Sequence, residues 1–312
     1  MTSIDNRKKF RIGVLLVNYR QWDLTRSCID SLLASDGVDI TIGLIDNNSP
    51  GDVPEWAENS EKILFHRNDI NLGLTAGNNM AFEMVCRKNV EYVLILNNDT
   101  EVDPDALVLL AEHLKNNPDT GIAAPAIPFA GSPDTIWSAG GKFFRWRMSL
   151  IQIYNSVKDL PALPVEMKQV TGCAIMMRSN DYRRAGLQDP DLFVYSEDTD
   201  LCFRVTEMGM RIYLIPDAIV LHHVSVSVGG VYSPFAVYFT HRNRYIVASR
   251  YLKAYTFILF NIYYIFITLY KTIAYPLQKQ GYLVPWMWLG FMHGVRNRPQ
   301  ERPDKLFGQV ST

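Results

Sequence analysis

From residue 11 to about 125 the chain alternates short apolar runs with amphipathic stretches, and this alternation constrains the fold more than any other feature. Residues 12–17, 40–45, 63–66 and 92–96 are β-rich runs bounded by polar residues. Between them, residues 22–35 and 76–88 carry apolar side chains at helical spacing, Ile29, Leu32 and Leu33 among them. Strands alternating with helices predict an α/β fold, a Rossmann-like and mostly parallel sheet covered on both faces. In such sheets ligands bind beyond the carboxyl ends of the strands. The notable polar residues sit there: Asn18 after the first run, Asp46-Asn47-Asn48 after the second, Asn97-Asn98-Asp99 after the fourth. Residues 126–168 have weaker periodicity and several prolines (Pro128, Pro133, Pro161, Pro164), which predicts an excursion over the sheet toward an acceptor. Order returns at 170–178, with a helix expected over 198–208 and a strand over 211–215.

Composition narrows the class. With 48% apolar and 20% charged residues, the 312-residue chain is neither disordered, collagen-like nor polytopic. Its formal charge of −1 argues against a nucleic-acid partner. That total hides a split: residues 1–241 hold 21 Lys+Arg against 30 Asp+Glu, whereas residues 242–312 hold 10 against 2. The four cysteines (Cys28, Cys86, Cys173, Cys202) form no CxxC pair, so a reducing compartment fits best. The apolar run at 12–17, after Arg7-Lys8-Lys9, is too short for a signal-peptide core. The catalytic part is expected in the cytosol.

Four polar clusters carry chemistry, each with an ordinary alternative. Asp46 either holds its own turn or accepts a hydrogen bond from a nucleobase imino N–H. Asp99 either caps the helix that Pro104 helps to start or ligates a hard cation, since Mg²⁺ is usually held by one or two carboxylates plus substrate phosphates. In Glu197-Asp198-Thr199-Asp200, acids at a helix start favour the dipole, but one of them is also suited to act as a general base. The His222-His223 pair closes an apolar run in a chain with only six histidines, which raises a metal-ligand role beside a structural one.

In their order, these fragments resemble the inverting glycosyltransferases of family 2, with the GT-A fold, and especially their rhamnosyltransferase-like branch. The likeness runs from residue 11 to about 245. It rests on Val17-Asn18-Tyr19, Ile45-Asp46-Asn47-Asn48-Ser49, Asn71-Leu72-Gly73 through Gly77-Asn78-Asn79, and Leu96-Asn97-Asn98-Asp99-Thr100. It continues in Thr171-Gly172-Cys173-Ala174 through Arg178, Tyr195-Ser196-Glu197-Asp198-Thr199-Asp200-Leu201 with Arg204, Pro216-Asp217-Ala218 to His222, and Arg242-Asn243.

The resemblance implies a donor-binding set of Val17, Asn18, Tyr19, Asp46, Asn48, Asn71, Gly73, Asn78, Asn98, Asp99 and Arg242. In it Asp46 reads a uracil or thymine ring, residues 17–19 pack on the nucleoside and residues 71–78 line its ribose. Asp99 and His222 would hold Mg²⁺ or Mn²⁺ on the diphosphate, with His223 the less favoured histidine, and Arg242 would approach the diphosphate. Asp198 would be the catalytic base. Three departures stand out. Asn97 replaces the first acid of a full DXD, Gln188 replaces an aromatic residue before Asp189, and the Gln-x-x-Arg-Trp signature of processive synthases is absent. Arg145-Trp146, with Lys142 three residues ahead, precedes the acidic motif instead of following it. A single-sugar transferase follows.

The basic part is aromatic. Residues 254–270 are 17 uncharged residues interrupted by Thr256, Asn261 and Thr268. At ~100° per residue, a helix over 250–279 gathers Arg250, Lys253, Asn261, Thr268, Lys271 and Thr272 into one polar stripe, with Pro276 expected to end it. That pattern suits a helix lying in a membrane interface, Trp286 and Trp288 joining the belt and Arg296, Arg298, Arg302 and Lys305 meeting anionic headgroups. A helix packed back on the catalytic part, a dimer interface and a single span are the alternatives. The division expected is a catalytic domain over 1–245 and a helical, membrane-associating region over 246–312. The whole reads as a metal-dependent transferase at the cytoplasmic face of a membrane. It would move one sugar from a UDP- or dTDP-sugar to a lipid-linked glycan or surface-polysaccharide precursor. A sugar nucleotidyltransferase is the other enzymatic reading, although Asn18-Tyr19-Arg20-Gln21 is not its Gly-rich basic loop; a silent glycan-binding or scaffold protein is the non-enzymatic one. Homo-oligomerisation stays open.

Overall fold

The computed structural model describes residues 9–224, 232–297 and 306. The first part is the expected alternation: β1 (Phe10–Asn18), α1 (Trp22–Leu33), β2 (Val38–Asp46), a single turn α2 (Glu55–Glu58), β3 (Ile63–Arg67), α3 (Gly73–Cys86) and β4 (Tyr92–Asn97). Short β5 (Thr100–Val102) and α4 (Ala106–Asn116) lead into β6 (Thr120–Phe129) and β7 (Ser132–Ser138). A hairpin of β8 (Lys142–Phe144) and β9 (Ser149–Ile151) is followed by β10 (Val165–Met167), β11 (Ala174–Arg178), α5 (Ser179–Arg184), α6 (Glu197–Glu207) and β12 (Arg211–His222). Three helices close the described chain: α7 (Pro234–Tyr251), α8 (Ala254–Leu277) and α9 (Val284–Val295).

The main sheet runs β10-β12-β6-β11-β4-β1-β2-β3. Strands β3, β2, β1 and β4 are parallel, β11 inserts antiparallel between β4 and β6, and β6 and β12 are again parallel. Alternate residues of β1 face opposite layers, as the strand period of two requires. Val14 and Leu16 join the core beneath α1 and α4 with Cys28, Leu32 and Leu107, while Leu15 and Val17 join the layer of α3, α5 and α6 with Phe82, Tyr182 and Leu201. Burying each such side chain contributes roughly 1.5–3 kcal/mol, so the continuous apolar runs are explained by burial on both faces. A methyl at Gly43 would stand 2.8 Å from the Ala81 carbonyl, so α3 seats directly on the strand.

Two expectations change. The segment after residue 126 does not leave the sheet at once, because β6 is an internal strand despite Pro125 and Pro128. Both prolines fall where the ladder is irregular: a register shift follows Ile215↔Pro125, and shifts flank Pro128 in its pairing with β7. A missing N–H is tolerated at such bulges. Likewise β12 continues through Pro216 to His222 instead of stopping at 215.

The C-terminal helix also starts at Ala254 instead of at 250. Lys253 has extended backbone (φ −63°, ψ 152°), which separates α7 from α8 at the turn. Pro276 lies in the last turn of α8, which ends at Leu277, and α7 runs unbroken through residue 245. Phe260, Tyr264 and Thr268, one turn apart, are the buried face of α8. Helix α9 crosses α7 in close contact: methyls at Gly290 and Gly294 would stand 2.4 Å and 2.7 Å from the Tyr238 and Arg242 carbonyls. Arg7, Lys8, Arg298, Arg302 and Lys305 lie outside the described residues.

Candidate active site

The carboxyl ends of β2, β1 and β4 lie side by side, with Asn18 opposite Asp46 and Val17 opposite Asn97. This register puts three sequence-distant polar motifs on one edge. They are then joined by hydrogen bonds. The Asn18 amide donates to Asp46 Oδ1 at 2.7 Å and to Ser49 Oγ at 3.1 Å, and its oxygen accepts from the Thr25 hydroxyl at 2.8 Å. Thr25 in turn accepts from the Asn98 amide at 2.9 Å. Asp46 is fully buried and its oxygens also take the Ser49 N–H (3.1 Å), the Ser49 hydroxyl and the Arg67 guanidinium (3.4 Å). Its carboxylate is thus turned into the 46–49 turn, where it organises the edge from below. Tyr19 is half-buried with the Arg20 guanidinium 5.0 Å over its ring, and Asn48 is exposed with φ 61°.

Asn71, Gly73 and Asn78 meet at the start of α3. Asn71 Oδ1 accepts from the Gly73 N–H at 2.9 Å, and Gly73 has φ +86° with Phe193 only 2.4 Å from where a methyl would sit. Asn78 is fully buried and donates to Gln188 Oε1 at 2.9 Å. Gln188, also buried, is locked to α3 through Asn79 as well. The residue that stands in place of an aromatic side chain is therefore a strut between α3 and the 188–196 loop.

Beyond β4 the chain turns through Asn98 and Asp99 into β5, which pairs with the end of β12 so that Thr100 faces His222. Asp99 Oδ1 and His222 Nε2 are 3.1 Å apart, both side chains at least nine-tenths buried. Trp137 packs edge-on against the imidazole at 4.2 Å, and His222 Nδ1 is buried with no hydrogen-bond partner among the described residues. His223 points elsewhere, to Glu101 at 2.9 Å. A hard octahedral cation with bonds near ~2.1 Å holds adjacent donors about 3 Å apart, so the Asp99–His222 spacing and donor types fit one. Among the described residues no three His, Cys, Asp or Glu converge on a point, so such an ion would take its remaining donors from phosphate or water.

The acidic motif enters from the far side of β4. Gly172 and Cys173 precede β11; the Cys173 carbonyl accepts from the Asn97 N–H at 2.9 Å, and the Gly172 N–H donates to Asp198 Oδ2 at 3.1 Å. Asp198 is thereby fixed beside the same edge as Asp99. Its Oδ1 takes the Thr199 N–H at 2.6 Å, and burial holds its pKa above the ordinary aspartate value despite these donors. Burial, with the Asp198 charge beside it, pushes Glu197 up to about 8. Asp200 has a different task, binding Arg204 at 2.8 Å and the Tyr251 hydroxyl at 2.9 Å. The three acids divide between site and scaffold.

The loop leading to Asp198 is strained. Phe193 (φ 62°, ψ −61°), Tyr195 (φ 68°) and Ser196 (φ 66°) all have positive φ. The Val194 N–H bonds the Leu192 carbonyl at 2.7 Å, closing a γ-turn of the rare positive-φ kind. Such backbone persists only where its surroundings over-determine it. Here the Phe193 carbonyl accepts from the first N–H groups of α3 (Leu74, 2.8 Å; Thr75, 3.2 Å), and the Phe193 ring stacks on Phe239 at 5.2 Å. From α7 the Asn243 amide donates to the Leu192, Val194 and Tyr195 carbonyls at 2.7–2.8 Å. Arg242 is buried and donates to the Asp191 carbonyl at 2.9 Å and to Asn243 Oδ1 at 2.7 Å. The structure therefore puts Arg242 on the loop backbone.

Sequence reading missed Thr25, Trp137 and Phe193 as parts of this site, and Ser49 stood in the 45–49 fragment without a role. Asn243 was visible within the Arg242-Asn243 fragment, and the Gly-x-x-x-Gly spacing of Gly290 and Gly294 was a legible sign of a close helix crossing.

The family described as "Glycosyl transferase family 2" matches residues 13–184. No curated protein matches the chain. Among solved structures, GalNAc-T7 with UDP, GalNAc and Mn²⁺ is similar at a TM-score of 0.59 and 15% identity, over 86% of this chain and 58% of that one. The chain thus spans under two thirds of that protein's length. The mannosyltransferase PcManGT from Pyrobaculum calidifontis, in complex with GDP-Man and Mn²⁺, is similar at 0.55 and 13%, over 94% and 89%. At these identities the likeness is one of fold.

Proposed function

The chain belongs to glycosyl transferase family 2, and from that premise we propose an inverting, metal-dependent transfer of one sugar from a nucleoside-diphosphate donor. The observation that carries this reading is the convergence at one sheet edge of the Asp99–His222 pair and the Asp198 carboxylate, from segments about a hundred residues apart. The edge is where a parallel sheet receives ligands.

Asp99 and His222 are the residues that would hold Mg²⁺ or Mn²⁺, the latter present in both similar structures. Bound there, the ion supplies charge neutralisation for a diphosphate leaving group. The protein's own residues do the rest. Asp198, held by Gly172 and Thr199, removes the proton of the incoming hydroxyl as it attacks the anomeric carbon on the face opposite the diphosphate. Its raised pKa suits that task, and base catalysis of this kind supplies ~10²–10⁴-fold. The Asn18–Thr25–Asn98 chain fixes the position of Asp99 relative to the nucleoside side of the site. Asn71, Gly73 and Asn78 shape the start of α3 beside it.

The donor is a UDP- or dTDP-sugar on this reading, and the acceptor a lipid-linked glycan or surface-polysaccharide precursor. The rhamnosyltransferase-like branch rests on the motif likeness alone. An acceptor in the bilayer accords with α8, which is long and apolar enough by length and composition to cross a membrane and leaves one side uncovered. We assign the protein to the cytoplasmic face, the uncovered side of the C-terminal helix α8 lying against anionic lipid. A thermal-shift panel of nucleoside diphosphates and their sugars, with and without Mn²⁺, tests the reading. Stabilisation by one donor that requires the metal supports it; stabilisation by none overturns it.

A further inference from the structure

The 142–151 hairpin is the part of the catalytic domain that the transfer reaction leaves without a task. Its tip, Arg145-Trp146-Arg147, leans on α8: Trp146 meets Tyr263 edge-on at 5.3 Å, and the Arg147 guanidinium lies 5.5 Å over the same ring. Arg145 donates to the Tyr251 carbonyl at 3.0 Å, and Arg244 donates to the Arg147 carbonyl at 3.0 Å. Trp146 nevertheless stays 42% exposed, and Ile151 and Ile153 are 44% and 50% exposed.

Beside it runs the uncovered face of α8, where Leu259, Ile262, Phe266, Leu269 and Ile273 are all about half exposed or more. Tyr263 is one turn from both Leu259 and Phe266, so the hairpin tip borders this stripe. The two surfaces form one patch, apolar along the helix and cationic-aromatic at the hairpin. Its charge is of one sign. No acidic residue occurs between Asp217 and Glu301, nor between Asp134 and Asp159.

We propose that the 142–151 hairpin and the open face of α8 together form a two-part docking surface for an anionic lipid bilayer. The α8 stripe enters the acyl boundary, Trp146 and Tyr263 occupy the interface level, and Lys142 and Arg147 meet headgroup phosphates. A second copy fits the patch poorly, because a two-fold contact would bring its cations against themselves. The consequence is orientation. On its other side the hairpin reaches α6, with Phe143 6.0 Å from Phe203 and Arg145 4.8 Å over that ring. Two contacts, one on each part of the chain, fix the tilt of the site relative to the bilayer, which one helix alone leaves free.

This rests on the membrane reading above, and the experiment separates the two. The full chain is floated with vesicles of phosphatidylcholine, pure or mixed with phosphatidylglycerol, as are the Lys142→Gln/Trp146→Ser and Ile262→Ser/Phe266→Ser variants. The wild type is expected on the mixed vesicles, with the hairpin variant weaker by roughly fivefold or more and the α8 variant lost, while metal-dependent donor hydrolysis is unchanged in both. Wild-type binding to mixed vesicles for the hairpin variant, with loss only in the α8 variant, overturns the hairpin's part and leaves the membrane reading intact. Equal binding of the wild type to neutral and mixed vesicles overturns the headgroup contact. A wild type that binds neither and sediments as a dimer overturns both readings.

Discussion

Asp99 Oδ1 and His222 Nε2 stand 3.1 Å apart although 123 residues separate them in the chain. The contact exists because β5 pairs with the end of β12 and brings Thr100 opposite His222. Two donors at this spacing, backed by Trp137, make the metal hypothesis specific. In Asp99→Asn or His222→Ala, Mn²⁺-dependent stabilisation by a nucleoside diphosphate should weaken about tenfold or more. His223→Ala should leave it unchanged, since His223 is turned to Glu101. Calorimetric titration of Mn²⁺ with the diphosphate measures both.

Asp198→Asn removes the proposed base and keeps its shape, its one remaining oxygen able to accept from the Gly172 or the Thr199 N–H but not from both. Turnover should fall ~10²–10⁴-fold while donor binding persists. In the wild type the acid limb of kcat/KM should lie above the ordinary aspartate range, because burial raises this pKa. Near-normal turnover in the variant would remove Asp198 from the mechanism.

Asn243→Ala strips one amide from three carbonyls of the strained loop. Its two N–H groups can make two full bonds at once, so at about 1 kcal/mol each the loss should be ~2 kcal/mol, read as a lower Tm. Since the loop carries Asp198, kcat should fall more than the donor KM rises. A variant that loses stability but keeps kcat would mean that α7 only supports the fold.

Gly290→Ala places a methyl 2.4 Å from the Tyr238 carbonyl, so α7 and α9 must separate. The expected cost is ~1–3 kcal/mol. Gly131→Ala, whose methyl meets nothing within 4 Å, is the control and should be close to neutral. Thermal unfolding of the pair checks this. It also bears on dissection of the chain: cutting at residue 250 strips α9 from α7, so surface variants of α8 are the sounder probe of membrane binding.

Two buried groups give stability opposite dependences on pH. His241 sits under α8, hydrogen-bonded to Tyr264, and burial with the Lys271 and Arg244 charges lowers its pKa to about 3. The unfolded chain takes up that proton first, so this contribution is intact above about 6.5 and is lost as pH falls toward 3. Glu197, pushed up to about 8, keeps its proton when folded. Its contribution is present below about 4.5 and is lost as pH rises through 8. Denaturation midpoints across pH should therefore decline on the acid side less steeply in His241→Gln and on the alkaline side less steeply in Glu197→Gln.

Much of the fold was legible because burial on both faces writes a parallel strand as an uninterrupted apolar run. Strands β1 to β4 and helices α1 and α3 fall within a few residues of the expected positions, and the polar motifs follow them as expected. Strand β6 was not legible as internal, because its prolines read as breakers until the ladder irregularities at Ile215 and Pro128 are known.

Within the site, the sequence by itself determined the chemistry available: which carboxylates, histidines and amides follow which strands. Tertiary structure alone decided what each faces. Asp46 and Arg242 have identities suited to a ligand, yet one is turned into its own turn and the other onto a loop carbonyl. Asp200, two residues from Asp198, is committed to Arg204 and Tyr251. The physical reason is common to all three. A polar side chain's type and its strand-end position are local properties of the chain, whereas partners such as Asn18 for Asp46, Asp191 for Arg242 and Tyr251 for Asp200 come from elements 28 to 51 residues away. Burial then makes satisfying those partners obligatory.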